Sequence, residues 1–549
     1  MSTEANIWVK AHEAERNANY IEAVNILFAL YNNISPLRYF VIQEIFRIIR
    51  LVKNKSSHQN FLLVKNSVDG FFEKKLSQIA LNYISIQKKP FDISDINTAI
   101  EKIKKSEFFV RDWYLEKYRD IIPSDAQPEE HYLLFSKDLE LNPGPEFNSI
   151  FYLNTHRGAW QRDSSPLVNN PLIRYISKKN KMTPTPSRVL YSADLVFKSG
   201  DREKGIFLAN SYLPEDLKYT INILEANKAI EDACEQDWLY YFNLYLEKFK
   251  ATHIDLENNG GDVFSRIKAV EPLKEVTGEL VSVIMPAWNA EKTIKKSIDS
   301  ILNQSWKNIE LIVIDDCSKD GTWQILQNIA KYDHRIKLIK NKVNVGPYVS
   351  KNIGLRIAKG KWITGQDADD WSFPERIANH IAEMKKHDLV ASLNYMVRIT
   401  PNGKFDQLGE VGGFSIDGVA RKASISCMFD RKELTEKLGY WDSVRFGADS
   451  ELISRAEKVF GQKFRVLSQL SMICLNLESG LTNNPVTGVR VAGGLSPVRK
   501  SYRDAWSSWQ AETPVENLRI SFPLERRVFW ADDSMVVSSR DSYENLYIH

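Results

Sequence analysis

Apolar positions along the chain follow two rhythms, and the change comes after a charged, glycine-containing connector at Glu257 to Gly278. Upstream, apolar residues recur at helical intervals. Ile7 to Leu30 reads as two amphipathic helices joined near Asn17 to Asn19, and Ala193 to Phe249 repeats that texture, ending in DWLYYFNLYLEKF. Downstream, β-rich runs alternate with helical periodicity. VSVIMP (Val281 to Pro286), IELIVI (Ile309 to Ile314), IKLI (Ile336 to Ile339) and KWIT (Lys361 to Thr364) predict strands. Between them Ile294, Ile298, Ile301 and Leu302 share one helical face, TWQILQNIAKY predicts a second helix, and Tyr348 to Ala358 a third. PERIANHIAEM predicts a fourth, with Pro374 in its first turn. This alternation predicts βαβ units, a mostly parallel sheet and a doubly wound α/β arrangement. Ligands of such folds bind at the carboxyl ends of the strands.

Composition narrows the class. Charged residues make up 26%, hydrophobic ones 43% and aromatic ones 11%, the balance of a globular chain rather than a disordered one. A net charge of +3 lacks the strong basic stripe of a nucleic-acid binder, so no nucleic-acid partner is expected. Four scattered cysteines with no CxxC pair argue against a zinc site or disulfide framework and fit a reducing compartment. The N-terminus is charged from the start, and no run approaches the ~20 apolar residues of a membrane span. The expected location is cytoplasmic, peripheral at the inner face of the cell membrane at most.

Upstream of the connector, the spacing of Ala11, Ala14, Tyr20, Ala23 and Phe28 resembles one tetratricopeptide-like hairpin; a solenoid needs several such repeats, so the alternative is a plain helical domain. DWYLEKYRD (Asp112 to Asp120), HYLL (His131 to Leu134) and NPGPEFNSIFYL (Asn142 to Leu153) form an aromatic, proline-interrupted stretch that predicts a compact module of short helices. The resulting division is a helical region at 1–100, an aromatic accessory module at 101–185, a helical segment and connector at 186–275, an α/β domain at 276–500 and a C-terminal extension at 501–549.

Three strand ends of the α/β domain carry unusual polar content. PAWN (Pro286 to Asn289) opens a helix whose first amides suit a phosphate; the plainer reading is a strand-to-helix turn capped by Asn289. IDDCSKDGT places Asp315 and Asp316 side by side, where a carboxylate can accept the N–H of a nucleobase, while Asp320-Gly321 reads as a turn. DADDW sets Asp367, Asp369 and Asp370 within four positions. Such crowding is electrostatically costly without a cation, and hard oxygen ligands suit Mn²⁺ or Mg²⁺. An acidic solvated loop is the alternative.

The span SVIMPAWNAEKTIKKSIDSILNQSW…IELIVIDDCSKDGT…NVGPYVSKNIGLRIAKGKWITGQDADDWSFPERI closely resembles family 2 glycosyltransferases of the GT-A fold, inverting enzymes that use nucleotide-activated, commonly UDP-linked, sugars. The resemblance covers Val281 to about Leu475. It implies that Pro286 and Asn289 lie in the loop cradling the nucleotide, that Asp316 binds the base, that Asp367 sits by the ribose, and that Asp369 holds the metal. Lys351 stands where such enzymes often carry Arg near the donor diphosphate, and Lys offers a point charge rather than a bidentate fork. YWDSVRFGADSELISRAEKVFG (Tyr440 to Gly461) resembles the second half of these domains, which implies Asp449 as catalytic base with Glu451 in reserve and Arg455 six positions after Asp449. From the residues alone Asp449 is equally a helix N-cap. The aromatic module resembles a segment of large bacterial glycosyltransferases of capsule and surface-polysaccharide loci, departing from it at Phe135 and Ser136, where a glycine is usual.

The expected function is transfer of a sugar from a nucleotide-diphosphate donor to a glycan or lipid-linked acceptor in capsule or lipopolysaccharide synthesis, with association at the membrane or in a biosynthetic complex compatible. The rival readings are a non-catalytic helical scaffold carrying a degenerate transferase domain, and a nucleotidyltransferase, which usually needs a glycine-rich loop that PAWN is not.

Overall fold

The computed structural model describes residues 93–546, apart from 120, 123–126, 137–139, 157–169, 178–182, 271–272, 478–479, 482, 485–486 and 490–494. The hairpin read at Ile7 to Leu30 lies outside the described residues. The chain divides into two compact units, Met1–Tyr212 and Leu213–His549, so the helical stretch at 186–275 is shared between them. Among the described residues no helix is long and apolar enough to cross a membrane.

The first unit runs from α1 (Ile93–Lys104) through α2 (Arg111–Lys117), α3 (Pro128–Phe135), α4 (Ser149–Thr155), α5 (Pro171–Ser177) and α6 (Val189–Lys198) to α7 (Arg202–Tyr212). Its helices are short for local reasons: Pro128 starts α3, and the Asn148 side chain caps α4 by accepting the Phe151 amide. Buried aromatic rings replace long apolar faces. The Tyr114 and Tyr132 rings meet edge to face at 5.8 Å, and Tyr114 Oη lies 2.8 Å from His131 Nδ1. Burial pushes the His131 imidazole down to about 4, which keeps it neutral in this core.

The second unit begins with an antiparallel helix pair, α8 (Ile221–Glu231) and α9 (Glu235–Glu247), and a small antiparallel ribbon of β1 (Ile254–Leu256) and β2 (Ile267–Ala269). The nine-stranded main sheet follows. Its order is β5 (Ile336–Lys340), β4 (Ile309–Asp315), β3 (Val281–Ala287), β6 (Trp362–Gly365), β10 (Met428–Asp430), β8 (Ala391–Ile399), β11 (Phe464–Leu475) and β7 (Trp371–Ser372), with β9 (Arg421–Lys422) on β8. The four strands expected from the sequence pair in parallel, and antiparallel neighbours enter beyond β6.

Both faces of the parallel half are covered, which is why its strands are nearly continuous apolar runs. Val281, Val283 and Met285 pack under α10 (Ile294–Leu302) and α13 (Arg376–Lys386), while Ile284, Ile312 and Ile314 meet Val349 and Ile353 of α12 (Gly346–Ile357). Contact there is close enough that a Cβ on Gly354 would stand 2.7 Å from Ile284. Helix α11 (Thr322–Ala330) links β4 to β5. The chain turns back at β3, whose neighbours are β4 on one side and β6 on the other, the kind of strand-order reversal where doubly wound sheets bind ligands.

The half beyond β6, where β8 and β11 run parallel among antiparallel neighbours, is held by distant segments. The long loop between β8 and β9 is gripped by α8 and α9. Trp238 Nε1 donates to the Gly403 carbonyl at 2.9 Å, and the Asn227 amide pairs with both backbone groups of Phe405. Tyr219 and Tyr245 both donate to Asp417 Oδ2, at 3.0 and 2.8 Å. Trp238 and Phe242 are fully buried, each adding about 1.5–3 kcal/mol of apolar burial. Beyond β11, α15 (Pro497–Glu512) and α16 (Ser539–Leu546) return to the sheet. Tyr502 Oη donates to Asp442, Arg527 pairs with the same carboxylate, and the Asn545 side chain accepts the Lys342 amide at 2.7 Å.

Candidate active site

The loops after β3 and β4 are stitched to one another. Asn289 Oδ1 accepts the Lys319 amide at 2.9 Å, the Asn289 amide donates to Ser318 Oγ, and Asp320 takes the amides of Glu291 and Thr322. Two expectations change here. Asn289 is not the helix cap: α10 starts at Ile294 behind Thr293, and Asn289 sits at φ +49°, where its side chain ties the two loops. Pro286 is not in a loop: it is a buried member of β3, in register with Ile314. Pairing of β3 with β6 stops at Ile284, so the missing proline N–H costs no ladder bond on that side. What stands exposed at this lip is Trp288.

Asp316 is 2% exposed and its oxygens are already engaged. Oδ1 accepts Asn341 Nδ2 and the Val345 amide, and Oδ2 accepts the Gly346 amide at 2.7 Å, so the carboxylate fixes the N-terminus of α12. Burial raises its pKa, and these donors oppose the rise. A base N–H can reach Asp316 only by sharing an oxygen with those amides.

Helix α12 then presents two side chains one turn apart. Lys351 Nζ is 3.8 Å from Asp367 and 5.3 Å from the centre of the Tyr348 ring. Tyr348 Oη donates to Asp449 Oδ1 at 3.0 Å. Both side chains are largely buried, and burial together with the Asp449 charge holds the Tyr348 phenol well above its usual range.

The DADDW loop separates its carboxylates. Asp370 is buried and accepts the Leu475 amide at 3.1 Å, facing β11 rather than its neighbours' side. Asp367 and Asp369 stay partly exposed. Burial, then the Asp367 charge, pushes the Asp369 carboxyl up to about 6. No set of three or more His, Cys, Asp or Glu side chains among the described residues is arranged to hold a metal alone. Two carboxylates and a substrate phosphate nevertheless suffice for Mg²⁺-type ions, and the residues fit that donor set. The loop is held from beneath by Arg376, fully buried and bonded to Gln366, Ser372, Thr364 and Gly365, while Gln366 Nε2 donates to the Asp370 carbonyl.

On α14 (Ala448–Phe460) the alternatives separate. The cap is Gly447, at φ +92°, and Asp449 lies inside the first turn, so the N-cap reading of Asp449 is corrected. The carboxylate is half-buried; Oδ1 serves Tyr348 and the Ser450 amide, and Oδ2 is open among the described residues. Glu451, the reserve base, is corrected as well. It is fully buried, both oxygens are clamped by Arg455 at 2.8 Å, and Gln510 adds a further bond, leaving no face for a hydroxyl. Asp449 and Lys351 line one small cavity with Thr364, Gly365 and Trp441.

The structure thus brings Asp449, Lys351, Asp367 and Asp369 together and leaves Pro286, Asn289 and Glu451 as framework. Sequence reasoning missed Tyr348, although its place one turn before Lys351 was a usable signal, and Arg376, whose partners converge only in space.

Residues 282–432 match the model of Glycosyl transferase family 2. The putative glycosyltransferase EpsE of Bacillus subtilis (strain 168) is 46% identical over 137 residues, 25% of this chain and 48% of that relative. An Escherichia coli relative, the UDP-Glc:alpha-D-GlcNAc-diphosphoundecaprenol beta-1,3-glucosyltransferase WfaP, is 41% identical over 120 residues, 22% of this chain and 47% of its own. A solved structure of S. aureus TarS 1-349 with UDP-GlcNAc is 21% identical, covering 36% of this chain and 59% of that one at a TM-score of 0.31. The chain spans about half the length of the curated relatives it matches. The match to glycosyl transferase family 2 is thus confined to residues 282–432, which hold the parallel strands of the sheet and the stitched loops at their ends.

Proposed function

We propose that the chain is an inverting glycosyltransferase of bacterial surface-polysaccharide synthesis, taking a UDP-linked sugar and passing it to a glycan or lipid-linked acceptor. The observation that carries this reading is the continuous line Asp449–Tyr348–Lys351–Asp367, an accessible carboxylate and an acidic loop joined across one helix. The activity for which WfaP is named, from UDP-glucose to a diphosphoundecaprenol-linked sugar, supports the donor and acceptor classes.

In this reading Asp449 Oδ2 accepts the acceptor hydroxyl proton as the oxygen attacks the anomeric carbon, while Tyr348 holds Oδ1 and fixes the carboxylate plane. Attack from the face opposite the leaving group gives inversion. Lys351 lies between the base and Asp367 and places a positive charge beside the leaving diphosphate. Asp367 and Asp369 would hold a divalent cation, Mn²⁺ or Mg²⁺, which supplies charge neutralisation on that diphosphate. Trp288 offers an exposed aromatic face for the nucleobase at the lip of the same site.

The test is a panel of nucleotide sugars with Mn²⁺ and polyprenyl-diphosphate-linked sugars, scored by nucleotide release and product linkage. Wild-type turnover with one donor, product of inverted anomeric configuration and loss of turnover in Asp449→Asn are expected. A folded protein that binds no nucleotide sugar in the panel is the scaffold instead.

A further inference from the structure

We propose that Arg398 is a phosphate-binding residue of this site, an inference that rests on the transferase reading above. Arg398 lies on β8 in register with Cys474 of β11, whose next residue, Leu475, donates its amide to Asp370. The side chain therefore stands beside the acidic loop, whose Asp370, Asp369 and Asp367 charges all act on it. Burial alone would make the guanidinium easier to deprotonate; Cys474, Asp370, Asp369 and Asp367 together hold it above the usual arginine value.

Its hydrogen bonding sets it apart from Arg376 and Arg455, the two fully buried arginines of the domain. Arg376 is bonded to two side-chain hydroxyls, an amide oxygen and a carbonyl, and Arg455 is locked to Glu451 and the carbonyls of Leu438 and Tyr440. Those two are framework. Arg398 is partly buried, and among the described residues its guanidinium makes no hydrogen bond and no ion pair, not even with the carboxylates that act on it. A guanidinium carries five N–H donors in a fixed fork that matches two phosphate oxygens. A counter-ion for the acidic loop would close onto a carboxylate. A planar donor set left open beside that loop fits a ligand that brings its own oxygens, and the phosphoryl group of a diphosphate has the matching charge and geometry.

That phosphate belongs either to the nucleotide donor or to a diphosphate-linked acceptor, and the experiment separates them. Full-length wild type, Arg398→Gln and Arg398→Lys are titrated calorimetrically with UDP and with uridine, Mn²⁺ present. Acceptor KM is then measured for a sugar with and without its polyprenyl diphosphate. If the donor supplies the phosphate, Arg398→Gln weakens UDP about 10- to 100-fold, the range for losing a charge-assisted hydrogen bond. Uridine affinity is unchanged and Arg398→Lys falls between, because a point charge replaces the fork. If the acceptor supplies it, UDP affinity holds and KM rises only for the diphosphate acceptor. Arg398→Lys keeps the positive charge beside three carboxylates and decides alone should Arg398→Gln fail to fold. UDP affinity and acceptor KM both unchanged in a folded variant overturn the proposal. A wild type that binds no nucleotide overturns the transferase reading and takes this inference with it.

Discussion

The parallel half of the transferase domain, from β3 to α13, and the half that follows it hold their chemistry in opposite ways. In the first, the loops after β3 and β4 are secured by residues about 30 positions away, as Asn289 is by Ser318 and Lys319. In the second, Asp449, the proposed base, is held by Tyr348, 101 positions upstream, and the Asp442 carboxylate by Tyr502 and Arg527 from the chain's last sixty residues. A locally stitched site survives as long as its own sheet does. A site assembled from distant segments depends on all of them, so the two halves should respond differently to substitution.

The sharpest break is at the proposed base. Asp449→Asn keeps the shape of the first turn of α14 but cannot take a proton, and kcat should fall about 10²–10⁴-fold with donor affinity unchanged. Turnover within a few-fold of wild type would remove Asp449 from the reaction. Next in size is a framework change in the distant class. Trp238→Ala empties a fully buried site against Phe405 and strands the Gly403 carbonyl, at about 3–5 kcal/mol of stability in denaturant unfolding. An unchanged midpoint would show that the grip on the β8–β9 loop is incidental.

On the locally stitched side, Asp316→Ala should cost about 1–3 kcal/mol in UDP affinity, the range for a charge-assisted bond, whether the carboxylate meets the base or only fixes α12. Comparing UDP with CDP separates the two: a base contact shows as altered discrimination, a capping role as equal loss. The smallest effect is Tyr348→Phe. It removes one hydrogen bond to Asp449, worth about 1 kcal/mol, and should lower kcat roughly 5- to 10-fold while donor KM stays put. A loss shared equally by kcat and donor KM would instead mark a general disturbance of α12.

Legibility in the sequence follows the same division. Strands β3 to β6 and their helices were readable because burial on two faces writes unbroken apolar runs and helical periodicity into contiguous residues. The DADDW carboxylates stand out in the sequence because three charges so close together are costly, and their proposed part in the site rests on that crowding. The function of Tyr348 was not, since a buried tyrosine in an apolar helix face announces packing, and its partner lies in another segment. Glu451 looked like a candidate because charge in a first turn is ordinary; only the fold shows Arg455 closing on it one turn later. Asn289 and Pro286 were placed by motif, yet one carries a left-handed turn and the other a strand.

The clasp of α8 and α9 on the β8–β9 loop also fixes where this chain can be cut and rejoined. The family match begins at residue 282, and a chimera built from there would carry a raw seam: Phe405 without its indole cover and Asp417 without two phenols. A transplantable cassette has to start at Leu213, so the inheritable unit is some seventy residues longer at its front than the family match.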